Sequence, residues 1–214
     1  MSDDDNDYYR NVIARLEATY VAADERGNVF GGSGFTGDLA HWEAHRRIIA
    51  DAFDHNGTWL DVGCANGLLM ETLVGWVAEK DYRLEPYGLD LSSQIAERAR
   101  IRYPQWSDRI WTGNVMTFEP ALGFDYVTML MDAVPMDRCV ALIKRVAKVY
   151  LKPGARLILS SYGAGAFITL HKGLAIDPRP EIEAAGLMVA GYREIVEPET
   201  GRLKVRVAWA DCSV

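Results

Sequence analysis

Thr58-Trp59-Leu60-Asp61-Val62-Gly63-Cys64-Ala65-Asn66-Gly67 decides how this chain is read. Thr58 to Val62 form a short strand, Gly63 and Gly67 bracket a turn, and apolar residues at helical spacing follow (Leu69, Leu73, Trp76, Val77). Glycine permits positive φ and lets a ligand approach the backbone without meeting a Cβ. The N–H groups that open the next helix then face that ligand and favour a negatively charged group. The spacing is Gly63-x-x-x-Gly67, whereas a dinucleotide fingerprint requires G-x-G-x-x-G and a P-loop requires Gly-Lys-Ser/Thr. Asp61 stands two residues before the first glycine, where it opposes a pyrophosphate and suits an ammonium group.

Outward from this turn the chain alternates. Pro86 to Asp90 is a second strand whose terminal acid is placed to accept hydrogen bonds from ribose hydroxyls. Ser92 or Ser93 caps the following helix through Ala99. Arg109 to Trp111, Phe124 to Leu130 and Ala155 to Ser160 are three further strands, with a helix over 136–150 ending before Lys152-Pro153-Gly154. Strands separated by helices imply a mostly parallel sheet covered on both faces. Residues 188–196 and 203–210 flank Pro198-Glu199-Thr200-Gly201 and predict an antiparallel hairpin at one edge.

Residues 1–56 precede the first strand and are expected to form a helical cap on the unit 57–214. Residues 1–7 read as a solvated tail. Tyr9, Val12, Ile13, Leu16 and Tyr20 mark one amphipathic helix. The glycine-rich stretch 30–37 reads as a loop able to close over a ligand. Asp38 is the expected N-cap of a second helix, with Leu39, Trp42, Ile49 and Phe53 facing inward and Asn56-Gly57 as its stop.

Composition narrows the function. The 214 residues carry 23 Lys and Arg against 30 Asp and Glu, a net charge of −7, which speaks against a large nucleic-acid footprint. Three widely spaced cysteines, Cys64, Cys139 and Cys212, give neither a disulfide framework nor zinc-ligand spacing, so no metal site and a cytoplasmic location are expected. An acidic start, Ser2-Asp3-Asp4-Asp5-Asn6-Asp7, is unlike a signal peptide. No apolar run reaches the ~18 residues of a membrane span.

With these motifs in order, the sequence resembles the class I S-adenosylmethionine (SAM)-dependent methyltransferases. Leu60 to Gly67 and Tyr87-Gly88-Leu89-Asp90-Leu91-Ser92 match the first two motifs. Gly113-Asn114-Val115 before Phe124 to Val127 matches the third, and Leu151-Lys152-Pro153-Gly154-Ala155 the fourth. The resemblance covers roughly residues 57–162. It implies a Rossmann-like α/β fold with a seven-stranded, mostly parallel sheet, the antiparallel C-terminal hairpin and the N-terminal helical cap. It implies SAM as cofactor and methyl transfer by in-line displacement. By resemblance, Asp61, Gly63, Cys64, Ala65 and Gly67 line the methionine end, and Asp90 binds the ribose. Leu91, Asn114 and Val115 meet the adenine, and Met131 lies near the cofactor. Many relatives carry an acid where Asn114 stands.

The acidic balance points to O or N of a small molecule as acceptor, with neither nucleic acid nor membrane as partner and a monomer or homodimer as assembly. Asp132, just past the fourth strand, is the first candidate for orienting the acceptor or taking its proton. Asp132 also reads as a helix cap or turn residue ahead of Pro135. His41 and His45 lie one helical turn apart and are candidates by that spacing, with a solvated helix face as the bland alternative. Arg46 is a candidate for the SAM carboxylate, though Arg46-Arg47 also reads as ordinary charged surface. Tyr162, past the fifth strand, is a further candidate. Two other functions compete: a nicotinamide-dependent oxidoreductase, which the glycine spacing opposes, and a non-catalytic scaffold or partner subunit of the same fold, which the intact turn and Asp90 oppose.

Overall fold

The computed structural model describes residues 3–163 and 175–212. Seven strands form one sheet in the order β3-β2-β1-β4-β5-β7-β6. β1 (Gly57–Val62), β2 (Leu84–Asp90), β3 (Ile110–Thr112), β4 (Phe124–Leu130) and β5 (Leu151–Tyr162) run parallel. β6 (Val189–Val196) and β7 (Leu203–Asp211) form the hairpin, with β7 antiparallel to both β5 and β6. This is the α/β architecture expected from the alternating pattern.

The period-2 alternation of the strands divides the core into two layers. Trp59, Tyr126, Ile158 and Val207 face one layer with Trp42, Phe53 and Leu73. Leu60, Val62, Val127, Met129 and Leu159 face the other with Leu142 and Val146 of α7 (Cys139–Val149). One feature of this alternation bears directly on the site. Asp61 lies two residues beyond Trp59 and Ser160 two beyond Ile158, and Asp61 pairs in register with Thr128 of β4. A polar row therefore closes the carboxyl end of the Trp59 layer.

Several elements differ from the sequence expectation. The acidic start is helical from Asp3: α1 (Asp3–Leu16) passes into a π-helical turn, Glu17–Val21, and then α2 (Ala22–Glu25). Three residues of the expected glycine loop, Phe30 to Gly32, belong to a helical turn, α3 (Val29–Gly32), capped by the Asn28 side chain. Asp38 caps α4 (Leu39–Arg46) as expected, accepting from His41 N at 3.0 Å. Leu39, however, is exposed on the first turn of α4. The chain leaves α4 through a 3₁₀ segment, Arg47–Ala52, and Asn56-Gly57 does not stop a helix. Asn56 Oδ1 instead accepts from Arg83 N at 2.7 Å and Gly57 N donates to Arg83 O, which seats the start of β1 beside β2. Lys152-Pro153-Gly154 lies within β5, with Gly154 at φ 78° donating to Cys212 O, so the strand begins earlier than its apolar run.

The cap is tied down by polar contacts. Asp24 accepts from Asn66 Nδ2 (2.9 Å) and Arg102 (2.5 Å), and Glu25 pairs with Arg98 of α6 (Ser93–Arg102). Glu17 accepts from Ser92 Oγ (2.5 Å) and Gln94 Nε2 (3.0 Å). No helix among the described residues is long and apolar enough to cross a membrane.

Candidate functional site

The turn after β1 is built from left-handed residues: Gly63 (φ 82°), Ala65 (φ 48°) and Gly67 (φ 81°). Gly63 N donates to Leu89 O at 2.7 Å, which locks the turn against the end of β2. A Cβ on Gly63 would meet nothing within 4 Å, so its α-carbon borders open space. That space is a cavity of about 200 Å³ at the carboxyl ends of β2, β1, β4 and β5, roofed by α1, with a recess of about 50 Å³ beside it. Open α/β sheets bind ligands at this place.

Asp90, Leu91, Asn114, Val115 and Met131 line the cavity together with Gly63 and Ala65. Asp90 is buried. Its Oδ2 accepts from Ala65 N (3.0 Å) and its Oδ1 from Ser92 N (2.9 Å). Burial raises its pKa to about 6 against these two bonds. Asn114 Oδ1 accepts from Met116 N at 2.9 Å, so part of its capacity is spent on its own turn.

Asp61 does not line the main cavity but the recess, with Cys64, Thr128 and Ser160. Thr128 Oγ1 donates to Asp61 Oδ1 at 2.8 Å, while Trp59 Nε1 donates to Thr128 Oγ1 at 2.9 Å. Burial pushes the Asp61 pKa to about 7, opposed by the Thr128 bond and by Arg46 and reinforced by Asp90. Cys64 packs where a Cβ on Gly88 would lie, and burial drives its thiol well upward, so it is a small filler and not a nucleophile. Gly67 lines neither space. Its α-carbon lies against the Tyr103 ring, and its role is to open α5 (Leu68–Ala78) in a conformation that no β-carbon fits.

The expected catalytic set separates. Asp132 and Tyr162 line the cavity. Asp132 occupies a turn, and the 3₁₀ segment that follows is preceded by Pro135, so Asp132 is not its cap. His41 and His45 line neither space and are withdrawn as candidates. His41 is exposed, bonded to Asp38 at 2.7 Å, and His45 bonds the His41 carbonyl and lies beside Phe35. The reason is helical phase: Trp42 and Arg46 hold the inward face of α4.

Arg46 is therefore the residue on this helix that matters. It is buried, with its guanidinium 3.5 Å from the Tyr162 ring centroid, 5.0 Å from Trp42 and 5.1 Å from Phe35, and it lines both spaces. Arg47, its neighbour, is exposed and pairs with Glu79. Ser33 and Gly34 of the glycine-rich stretch line the cavity, and so do four residues the sequence did not single out for it, Tyr8, Tyr9, Arg15 and Tyr20. The apolar stripe of α1 signalled burial, but not burial against a ligand space. Gly34 has φ 69° and a Cβ there would lie 2.1 Å from Tyr20 Oη, so glycine is what admits the Tyr20 ring.

No family model and no curated protein matches the chain. Solved structures do. The N-methyltransferase NodS from Bradyrhizobium japonicum WM9, in complex with S-adenosyl-L-homocysteine, shares 19% identity over 81% of this chain and 85% of its own, with a TM-score of 0.57. The mitomycin 7-O-methyltransferase MmcR shares 22% identity over 83% of this chain and 55% of its own, with a TM-score of 0.59. The [4+2]-cyclase SpnF shares 17% over 78% and 79%, with a TM-score of 0.58. At these identities the likeness establishes architecture: the chain has the fold of the class I SAM-dependent methyltransferases.

Proposed function

We propose that this protein is a SAM-dependent methyltransferase acting on O or N of a small molecule. The observation that carries the reading is the charge layout of one crevice, with the buried acid Asp90 on the β2 side of Gly63 and the buried cation Arg46 on the β5 side. The donor set fits the cofactor. Asp90 offers acceptors for ribose hydroxyls, with Asn114 and Val115 beside the adenine. Gly63 leaves room for the chain that joins ribose to amino acid. Asp61 and Arg46 are matched in sign to an ammonium and a carboxylate. Arg46 lies among three aromatic rings, with Asp61 the acid whose charge it feels and no close ion pair among the described residues.

Bound in this crevice, SAM supplies a methyl group on a sulfonium, open to in-line displacement. The chain contributes alignment and a dry site. The roof of α1 and the Ser33-Gly34 turn would shield the site from water, Met131 would pack against the cofactor, and Asp132 beside it would orient the acceptor and take the proton that an O–H or N–H group gives up. A cavity roofed on one side by the protein's own helix suits a small acceptor.

The deciding experiment is calorimetric titration of the purified protein with SAM, S-adenosylhomocysteine and NADPH. Binding of the two sulfur compounds and not the dinucleotide is expected. Binding of the dinucleotide alone refutes the reading, and absence of both sulfur compounds favours a scaffold.

A further inference from the structure

The roof of the cavity carries chemistry that the cofactor does not use. Tyr8, Val12, Arg15 and Leu16 share one face of α1 by helical spacing, and all four line the cavity. Tyr9 joins them, with its ring edge-to-face on Tyr8 at 5.2 Å and 78°. Across from this face lie Met131, Ala133 and Ile176. Rings and aliphatic side chains on both sides make a slot suited to a flat apolar body.

One buried polar group in this slot is unsatisfied, and an exposed cation lies beside it. Tyr9 is 6% exposed, and its hydroxyl has no hydrogen-bond partner among the described residues. Buried hydroxyls are costly to leave in that state, and one lining a cavity is supplied by what enters it. The cation is Arg15, exposed and lining the cavity. Arg10, Arg98 and Arg102 are each paired with an acid, whereas no carboxylate among the described residues pairs with Arg15. Arg46, the other cation of the cavity, stands in its aromatic box beside the recess. Arg15 thus offers one positive charge, in a planar fork that fits a carboxylate. A doubly charged phosphate would call for a second such cation.

We infer that the methyl acceptor is a planar aromatic carboxylic acid, its ring between the α1 tyrosines and the Met131–Ile176 wall, its carboxylate on Arg15 and a polar ring substituent on Tyr9. This inference rests on the methyltransferase reading of the same cavity. Asp132 remains beside Met131, at the reacting end.

The test uses protein saturated with S-adenosylhomocysteine and a matched panel: hydroxylated benzoates, cinnamates and naphthoates, with the same rings carrying hydroxymethyl or aminomethyl in place of carboxylate. Calorimetry should find an acid that binds at least about tenfold tighter than its neutral and amine counterparts. Arg15→Gln should abolish that preference and Arg15→Lys should restore most of it. Tyr9→Phe should weaken only the hydroxyl-bearing rings. S-adenosylhomocysteine affinity should stay within about twofold in every variant, which also reports folding. The proposal is overturned if no acid binds, if amines or neutral analogues bind as well as acids, or if Arg15→Gln keeps the preference. Failure of the wild-type protein to bind S-adenosylhomocysteine removes the underlying reading instead, and this inference with it.

Discussion

With the cofactor's ammonium at Asp61 as proposed, affinity depends on pH in a direction that can be worked out. In the free protein the Asp61 pKa is pushed by burial to about 7 from an ordinary value of 3.8. The folded chain therefore holds a proton that the unfolded chain has released between about pH 4 and 7. Stability of the free protein falls as pH rises through that window, by up to about 4 kcal/mol if the whole shift is expressed. A ligand ammonium beside the carboxylate favours the anion, so binding expels the proton. If only the ionised acid binds, affinity for S-adenosylhomocysteine rises about tenfold from pH 6 to pH 8, at about 1.4 kcal/mol per decade. Asp90, raised to about 6, adds a smaller loss at the acid end. Calorimetry at pH 6, 7 and 8, in buffers of differing ionisation enthalpy, reads both the affinity and the proton released. Asp61→Asn should flatten the profile above pH 6. Adenosine, which has no ammonium, should show only the Asp90 component. A flat wild-type profile, or affinity that rises toward acid, refutes the placement of the ammonium at Asp61.

Other outcomes follow from the same geometry. Asp90→Ala should weaken S-adenosylhomocysteine by about 1–3 kcal/mol through lost charge-assisted bonds, and unchanged affinity in a titration would contradict the ribose placement. Gly34→Ala should cost about 2 kcal/mol or more in chemical denaturation, because the residue is left-handed and its Cβ meets Tyr20. Tyr20→Ala in the same chain should recover the part due to the clash. Asp132→Asn should leave cofactor affinity unchanged while lowering kcat about a hundredfold with an O–H acceptor. A single-turnover rate equal to wild type would return Asp132 to a structural turn.

The sheet was legible because each strand is a short apolar run between turn residues, and the alternation from β1 to β5 has few other solutions. The gathering of Gly63, Asp90 and Asn114 at one cavity was legible for a similar reason: they lie at or just past strand ends, where sequence position fixes spatial position. The acceptor end was not. Tyr8, Tyr9 and Arg15 belong to a helix distant in sequence, and an apolar stripe reads alike whether it covers a core or a cavity. The two histidines illustrate the converse: their spacing placed them on one face of α4, but spacing does not say which face is inward. Trp42 and Arg46 take that face because Arg46 has three aromatic rings to lie against.

The contact between Glu17 and Ser92 has a consequence for traffic through the crevice. Ser92 also caps α6, by accepting from Ile95 N, and its own backbone N–H holds Asp90. Doorway and floor thus share one hinge-pin. Parting α1 from the loop after β2 would break the Glu17–Ser92 contact and disturb the residue that holds Asp90, the proposed ribose acceptor. Chains shortened past Glu17 would swap partners faster and guard their contents less well from water.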